Sequence, residues 1–275
     1  MSKRGRPIKE FHEYIIEPGG DSHVTLGAYV ESPATAFLAY CIEAKDAINH
    51  CQRHFQKNLD NSLSKNSIAS LHHLSAAVLP TMMGHFETYQ RHLFAGIFEM
   101  SGVLKNFRAN EFFGKLKKVD VEIRIDPVKL AGYRRFSTTT GVLLADNLPG
   151  WQNPRLVNKY FRALLDTDIY DENDCQRLLV LWQLRHSIVH TGGSLTLPDA
   201  QKVQELSEHG GKPLVFDDKF ILEVSKKFHP LVKNATKKAE KAFRGQQVPE
   251  RITKDDQHII DKLFLVKSKV PVWFQ

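Results

Sequence analysis

The sequence has few of the features that mark several protein classes. Three cysteines occur among 275 residues, at Cys41, Cys51 and Cys175, and no two are spaced as Cys-x-x-Cys. This small, odd number argues against a disulfide framework and against a zinc knuckle, and it fits a reducing compartment. No apolar run approaches the roughly 20 residues that cross a bilayer. The basic first residues lack the apolar core of a signal peptide, so we expect a cytoplasmic protein with no membrane partner.

Internal repeats and low-complexity segments are also lacking, and the composition is that of a globular protein. The chain is 42% hydrophobic and 25% charged, which is enough to bury a core. Its 38 Lys and Arg exceed its 31 Asp and Glu, giving a net charge of +7. A positive field attracts polyanions such as nucleic acid. A solvated basic surface explains the charge equally well, so the charge alone identifies no partner.

Apolar residues recur at helical spacing through most of the chain. Residues 34–57 are predicted to form an amphipathic helix. A second helix begins near Ser64 and is expected to kink or end at Pro80, and a third covers residues 82–101. The remaining predicted helices cover residues 111–118, 153–165, 171–190, 217–244 (with a break at Pro230) and 254–266.

Short segments between these helices have other patterns. Residues 119–125 alternate enough to predict a brief strand. Residues 23–30, bounded by turn signals within the N-terminal arm, are predicted to form another. Residues 127–146 are predicted to be helical in part, and residues 194–216 to form a loop or hairpin. We therefore predict an all-α fold, a helical bundle with small β or loop insertions.

One segment, residues 184–193, carries groups suited to chemistry at the end of an apolar helix. Its sequence is Leu-Arg-His-Ser-Ile-Val-His-Thr-Gly-Gly. Arg185 offers a permanent cation and a planar fork of donors that fits a phosphate. His190 can exchange a proton near neutral pH. Gly192 and Gly193 follow and should end the helix in an αL cap, which leaves the last imidazole facing open space.

Arg185 and His190 are five residues apart, which corresponds to about 140° of helix rotation. A rigid helix does not place both on one face, whereas two copies meeting across a two-fold axis bring four such groups together. This set suits RNA cleavage: a base removes the 2′-hydroxyl proton, the oxygen attacks the neighbouring phosphorus, and an acid protonates the leaving 5′-oxygen. General acid–base catalysis contributes about 10²–10⁴ in rate, and a cation stabilises the charge on the phosphate. This chemistry requires no metal and no other cofactor.

The segment Arg185-His186-x-x-x-His190 resembles the R-x(4–6)-H signature of HEPN-domain ribonucleases. The position after the Arg is commonly polar in that family, and His186 fits it. The apolar pair Ile188-Val189 before the last His, and the glycines after it, are also similar to the family pattern.

A second, weaker similarity lies upstream. The pattern Phe-Glu-x-x-x-Arg-x-Leu at residues 86–93 is similar to the family helix that packs beside the motif helix. The resemblance covers roughly residues 34–244 and is specific only at the motif. The stretch between Met100 and Asp171 and the tail after Arg244 have no match, which leaves substrate choice and regulation open.

The resemblance implies a HEPN-like bundle that forms a homodimer with a composite active site. It also implies that the dimer cleaves RNA without a metal. Proteins of this kind often act as toxins or antiviral effectors and are controlled by an antitoxin or another regulatory protein. On the matching positions, Arg185 binds the scissile phosphate, His190 transfers the proton, and His186 orients or polarises the site. Glu87 is a candidate helper, able to pair with Arg185 or to hold an imidazole, and is left outside the predicted catalytic set.

Two interpretations without catalysis stay open. Cations at a helix C-terminus stabilise the helix dipole by about 0.3–1 kcal/mol, so a purely structural helical protein can also end a helix this way. A catalytically inactive HEPN module that binds RNA, a nucleotide or a protein partner is the other interpretation. It is favoured by the basic helix at residues 219–244 and by the apolar tail at residues 270–274.

A metal site is a further alternative at the histidine pair. His186 and His190 have the i, i+4 spacing of zinc ligands. However, Ser187 stands where the metalloprotease motif has Glu. A second pair, His50-x-x-x-His54, repeats the spacing without a supporting acid, so spacing alone does not indicate zinc.

The predicted organisation has three parts. Residues 1–33 form an N-terminal arm rich in turn signals, and residues 34–245 form the HEPN-like helical domain, with an insert at about residues 101–170. Residues 246–275 contribute a C-terminal helix and the apolar tail.

Overall fold

The structure, a computed structural model, describes residues 24–118 and 139–268. Its α-helices are α1 (Leu26–Glu31), α2 (Pro33–His54), α3 (Lys65–Glu99), α4 (Ala109–Lys118), α5 (Thr140–Asn147), α6 (Pro154–Leu165), α7 (Glu172–His190), α8 (Leu197–Ala200), α9 (Phe220–Arg244) and α10 (Lys254–Leu263). Short 3₁₀ helices occupy Met100–Val103, Gln204–His209 and Pro249–Arg251. The prediction of an all-α fold is confirmed. The strand predicted at residues 119–125 and the apolar tail lie outside the described residues, as does most of the segment predicted to be partly helical at residues 127–146.

Helix α3 is the central element, and α2, α5, α7 and α9 all pack against it. Aromatic rings fill the space between them. The Phe37 ring centroid lies 5.3 Å from that of Phe86 and 5.1 Å from that of Phe228. A second cluster surrounds Phe94, whose ring lies 5.7 Å from Trp151 and 5.8 Å from Phe161. The stretch without a match to the family motif therefore supplies core residues.

Two prolines predicted to interrupt helices do not do so. Helix α3 continues through Pro80 and α9 through Pro230, so the helix end expected at Pro80 and the break expected at Pro230 are both wrong. A proline inside a helix costs about 3 kcal/mol, whereas each buried large apolar side chain contributes about 1.5–3 kcal/mol. Leu79 and Met82 are fully buried on either side of Pro80, so the packing of the flanking turns outweighs the lost backbone hydrogen bond.

The strand predicted at residues 23–30 is wrong over its described part, because Leu26–Glu31 form helix α1. The side chains of this segment are not buried alternately as in a strand, because Tyr29 is the one buried residue of α1. Tyr29 is buried, with its ring centroid 5.9 Å from that of His85 and 6.2 Å from that of His92. Its hydroxyl is hydrogen-bonded to His85 Nδ1 at 2.9 Å. These contacts fix α1 on α3.

The segment predicted as a loop or hairpin contains both. Strand β1 (Ser194–Leu195) pairs antiparallel with β2 (Lys212–Pro213), and α8 and a 3₁₀ helix lie between them. Within the described ranges, no helix has the length and apolar character that crossing a membrane requires.

Candidate active site

Helix α7 carries the motif and is anchored by its first turn and its inner face. The Asp174 backbone N–H donates to Asp171 Oδ1 at 2.8 Å, which caps the N-terminus. Cys175, Leu178 and Trp182 are buried in the core. This anchoring fixes the direction in which the last turn of α7 leaves the bundle.

The C-terminus of α7 ends as the glycine pair predicts. Gly192 and Gly193 have φ values of +62° and +79°, in the left-handed region that favours glycine. The Gly193 N–H and the Thr191 hydroxyl both donate to the Ser187 carbonyl, at 3.1 and 2.8 Å. The Thr191 hydroxyl also donates to the Ser194 carbonyl. The Ser187 carbonyl also accepts from the Thr191 backbone N–H at 3.1 Å, so three donors of the cap converge on it, and the bond to Ser194 ties the end of α7 to β1.

Arg185 lies half-buried near this end. Its guanidinium forms no ion pair and no hydrogen bond with the part of the chain that the structure describes. Within the described residues, no carboxylate competes for the donors of its planar fork. Arg185 shares its side of the helix with Val189, four residues later, which is 47% exposed.

The two histidines lie on the adjacent side of α7. The ring centroids of His186 and His190 are 4.8 Å apart, at an interplanar angle of 43°. His186 is half-buried and His190 is exposed. The structure therefore brings the two imidazoles together and presents one of them to solvent. Arg185 occupies a different face of the helix, as the 140° rotation requires.

Asp199 is a charged neighbour that the sequence analysis did not single out. It is buried in α8, after β1, and accepts from Lys202 Nζ at 2.7 Å and from the Thr196 hydroxyl at 2.8 Å. These two hydrogen bonds, together with the nearby His186, hold the pKa of Asp199 below its usual value. The Thr-x-x-Asp spacing of a helix cap at residues 196–199 was the available sequence signal.

Glu87 does not act as a helper at the motif. Its carboxylate accepts from Arg91 Nε at 3.0 Å and from Arg91 Nη2 at 2.5 Å, within α3. The expected pairing of Glu87 with Arg185 or with a motif imidazole is therefore wrong. The i, i+4 partner on the same helix takes the carboxylate because it is always within reach.

No metal centre forms around the motif within the described residues. The structure there contains no group of three or more His, Cys, Asp or Glu side chains placed to hold a metal ion. Among the residues at 24–118 and 139–268, His186 and His190 therefore have no third protein ligand of the kind a zinc site requires.

Comparisons of the chain with models of protein families, with curated proteins and with solved structures found no match. The similarity to HEPN ribonucleases therefore rests on the sequence motif, and membership of that family stays a prediction.

Proposed function

We propose that the protein is a metal-independent endoribonuclease whose site is the end of α7. Arg185 binds the scissile phosphate, and His190 exchanges the proton of the 2′-hydroxyl or of the leaving 5′-oxygen. His186 orients and polarises the site beside His190. The reaction leaves a 2′,3′-cyclic phosphate on one fragment and a 5′-hydroxyl on the other.

The observation that carries this proposal is the state of Arg185. Its half-buried guanidinium has no partner within the described residues, which leaves its planar fork of donors suited to two oxygens of one phosphate.

A second copy of the chain completes the proposed site. Arg185 and His190 face different directions on one helix, so a phosphate held by one copy meets the imidazole of the other. Three exposed apolar side chains are candidates for the contact, one within the motif and two in the segment that follows it: Val189 is 47% exposed, Leu197 64% and Val215 63%.

RNA cleavage in a chelating buffer tests the proposal. Wild-type protein should cut RNA, and Arg185→Ala and His190→Ala should each lower the rate by about 10²–10⁴. The product ends should be a cyclic phosphate and a 5′-hydroxyl. Equal rates for all three proteins would place the activity at another site.

A catalytically inactive RNA-binding module is the second candidate, and the surface of α9 favours it. Lys233, Lys237 and Lys241 are exposed and form no ion pair within the described residues. The helical rise places the first and last about 12 Å apart along the axis, so they can neutralise successive phosphates.

The two candidates differ in turnover. An inactive module binds RNA with a strong salt dependence, loses affinity when the three lysines are changed to Glu, and keeps it when Arg185 and His190 are changed to Ala. It yields no product in any assay. Salt-sensitive binding fits both candidates, so cleavage by the wild-type chain decides between them.

A further inference from the structure

A groove runs between α7 and α9 and contains a cavity of about 250 Å³. Its lining is mainly apolar, with side chains from both helices. Helix α7 contributes Val180, Leu181 and Leu184, and α9 contributes Phe220, Val224 and Leu231. The groove is separate from the exposed side chains that are candidates for the contact between two copies, because Val189, Leu197 and Val215 do not line it.

The groove leads to the residue proposed to bind the scissile phosphate. Arg177, Leu181 and Arg185 follow one another at intervals of four residues, so they form one row on the surface of α7. The first two line the groove. The helical rise places the two arginines about 12 Å apart along the axis of α7. A strand whose phosphate is bound by Arg185 can therefore continue along this row into the groove.

The rims of the groove carry positive charge. Lys227 of α9 is exposed and forms no ion pair or hydrogen bond within the described residues. The Arg177 side chain is 67% exposed, and its Nη1 lies 3.9 Å from Asp174 Oδ1, which is too far for a hydrogen bond. Glu223 also lines the groove, and Lys226 Nζ lies 3.2 Å from its Oε1. Both helices thus present a cation to a phosphate across an apolar floor.

Phe220 places an aromatic ring in the wall of the groove. Its side chain is half-buried, and its ring is stacked on that of Phe216, with centroids 4.3 Å apart and an interplanar angle of 20°. Phe216 is buried, so this contact fixes the orientation of the Phe220 ring. An oriented ring beside exposed cations is the combination with which proteins bind unpaired bases and their phosphates.

We propose that this groove binds an unpaired segment of RNA, formed by the nucleotides next to the phosphate held by Arg185. A base stacks on Phe220 and contacts Leu181, and the phosphates lie on Arg177 and Lys227. Bases in an RNA duplex are stacked on one another and cannot enter the groove. The identity of the ligand as RNA rests on the function proposed for α7, to which the groove adds a preference for single strands.

Binding of a strand that cannot be cut tests the groove separately from cleavage. A fluorescent RNA oligonucleotide with 2′-O-methyl groups has no attacking hydroxyl, and fluorescence anisotropy measures its affinity. The wild-type chain should bind the single strand at least tenfold more tightly than the same strand annealed to its complement. Equal affinity for the two forms would overturn the proposal without any variant.

A charge reversal at the rim provides the second arm. Lys227→Glu should weaken binding of the single strand about tenfold, because it removes a phosphate contact and adds a repulsive charge. Lys254→Glu is the matched control, because Lys254 is an exposed lysine of α10 that does not line the groove. It should change the affinity less than twofold. Equal effects of the two substitutions would contradict the assignment.

Removal of the ring provides the third arm. Phe220→Ala should weaken binding of the single strand about tenfold, whereas Phe220→Tyr keeps the ring and should bind within twofold of the wild type. Phe113→Ala is the matched control, because Phe113 is 40% exposed on α4 and does not line the groove. Thermal unfolding checks that each variant folds, and unchanged affinity of folded Phe220→Ala would contradict the stacking contact.

The outcomes separate the groove from the nuclease chemistry. Weaker binding by the groove variants, with no cleavage of a ribose strand by the wild type, would support the groove and contradict the endoribonuclease. Cleavage of a ribose strand, with unchanged binding by Lys227→Glu and Phe220→Ala, would do the reverse. A groove that joins two copies of the chain would instead make Phe220→Ala sediment as a monomer with unchanged affinity for RNA, which would also overturn the proposal.

Discussion

Two helices of this molecule end in a histidine pair with the same spacing. The rings of His50 and His54 at the end of α2 are 4.4 Å apart and inclined by 40°. Those of His186 and His190 at the end of α7 are 4.8 Å apart and inclined by 43°. The spacing on a helix therefore fixes the ring geometry by itself, and it does not distinguish a site from an ordinary surface.

The surroundings of the two pairs differ. The α2 pair is exposed, and Arg53 Nε donates to the Asn49 carbonyl on the same helix at 3.3 Å. After α2 the chain continues through Phe55 in an extended conformation. The surroundings of the α7 pair include Arg185, which has no partner in the part of the chain that the structure describes, the buried carboxylate of Asp199 and a left-handed glycine cap. The proposed chemistry depends on this environment.

Removing both rings from each pair should give the largest contrast. His186→Ala with His190→Ala should lower RNA cleavage by at least the 10²–10⁴ of one lost acid–base group. His50→Ala with His54→Ala removes an equivalent pair and should leave the rate within twofold. Single-turnover rates on one RNA oligonucleotide measure both. A similar loss in both variants would show that the α7 environment is not special.

Conservative replacement of the arginines should sharpen the comparison. Arg185→Lys keeps the charge but loses the planar fork. The loss of one charge-assisted hydrogen bond, about 1.5–3 kcal/mol, should slow cleavage about 10- to 100-fold. Arg53→Lys should have no effect on cleavage. Full activity of Arg185→Lys would mean that Arg185 acts as a point charge only.

Of the two helix ends, only that of α7 has a glycine cap, so the cap should stabilise the protein at that end alone. Gly192→Ala with Gly193→Ala should lower the free energy of unfolding by roughly 2 kcal/mol, because each residue has positive φ. A Cβ at either position meets no atom within 4 Å, so the cost is conformational.

Urea unfolding measures the effect of the cap. The control is Gly114→Ala, in a helix interior, which should raise stability by up to about 1 kcal/mol. Equal effects of the cap and control substitutions would show that the left-handed cap does not matter.

Acid sensitivity of the fold should arise away from both helix ends. Burial lowers the pKa values of His85 and His92, with Asp146 raising and Arg91 lowering that of His92. Below about pH 6.5 the unfolded chain therefore binds protons at these histidines that the folded chain does not bind. Their contribution to the free energy of unfolding is fully present above about pH 6.5 and decreases as the pH falls through that value.

The slope of stability against pH should be at most about 1.4 kcal/mol per pH unit for each of these groups. Urea unfolding midpoints at several pH values measure it. His85→Gln with His92→Gln should flatten the slope, whereas His50→Ala with His54→Ala should not. Unchanged slopes in the first variant would exclude these histidines as its source.

Helix positions were predictable where one apolar face dominates. The N-cap residues Asn153 and Asp171 and the glycine pair mark real boundaries of α6 and α7. The prolines at 80 and 230 were misleading, because local propensity is smaller than the burial of the turns around them. Helix α1 was mistaken for a strand because its only buried residue, Tyr29, is placed by contacts with α3 that no local pattern reveals.

The candidate site was predictable in its residues and less so in its neighbours. The sequence places Arg185, His186 and His190 at a glycine-terminated helix end, and the structure has them there. The sequence gives no sign that Arg185 has no partner among the described residues, or that Asp199 lies near His186, because those contacts depend on how β1 and α8 fold back after α7. The engagement of Glu87 by Arg91 follows the ordinary i, i+4 rule.

Cleavage of one oligonucleotide, made with ribose and with 2′-deoxyribose, tests the central claim most directly. In a chelating buffer the wild-type chain should cut only the ribose form and leave a 2′,3′-cyclic phosphate, because the attacking group is the 2′-hydroxyl. An intact ribose strand, equal cleavage of both strands, or fragments with a 5′-phosphate would contradict the assignment of Arg185 and His190 to this chemistry.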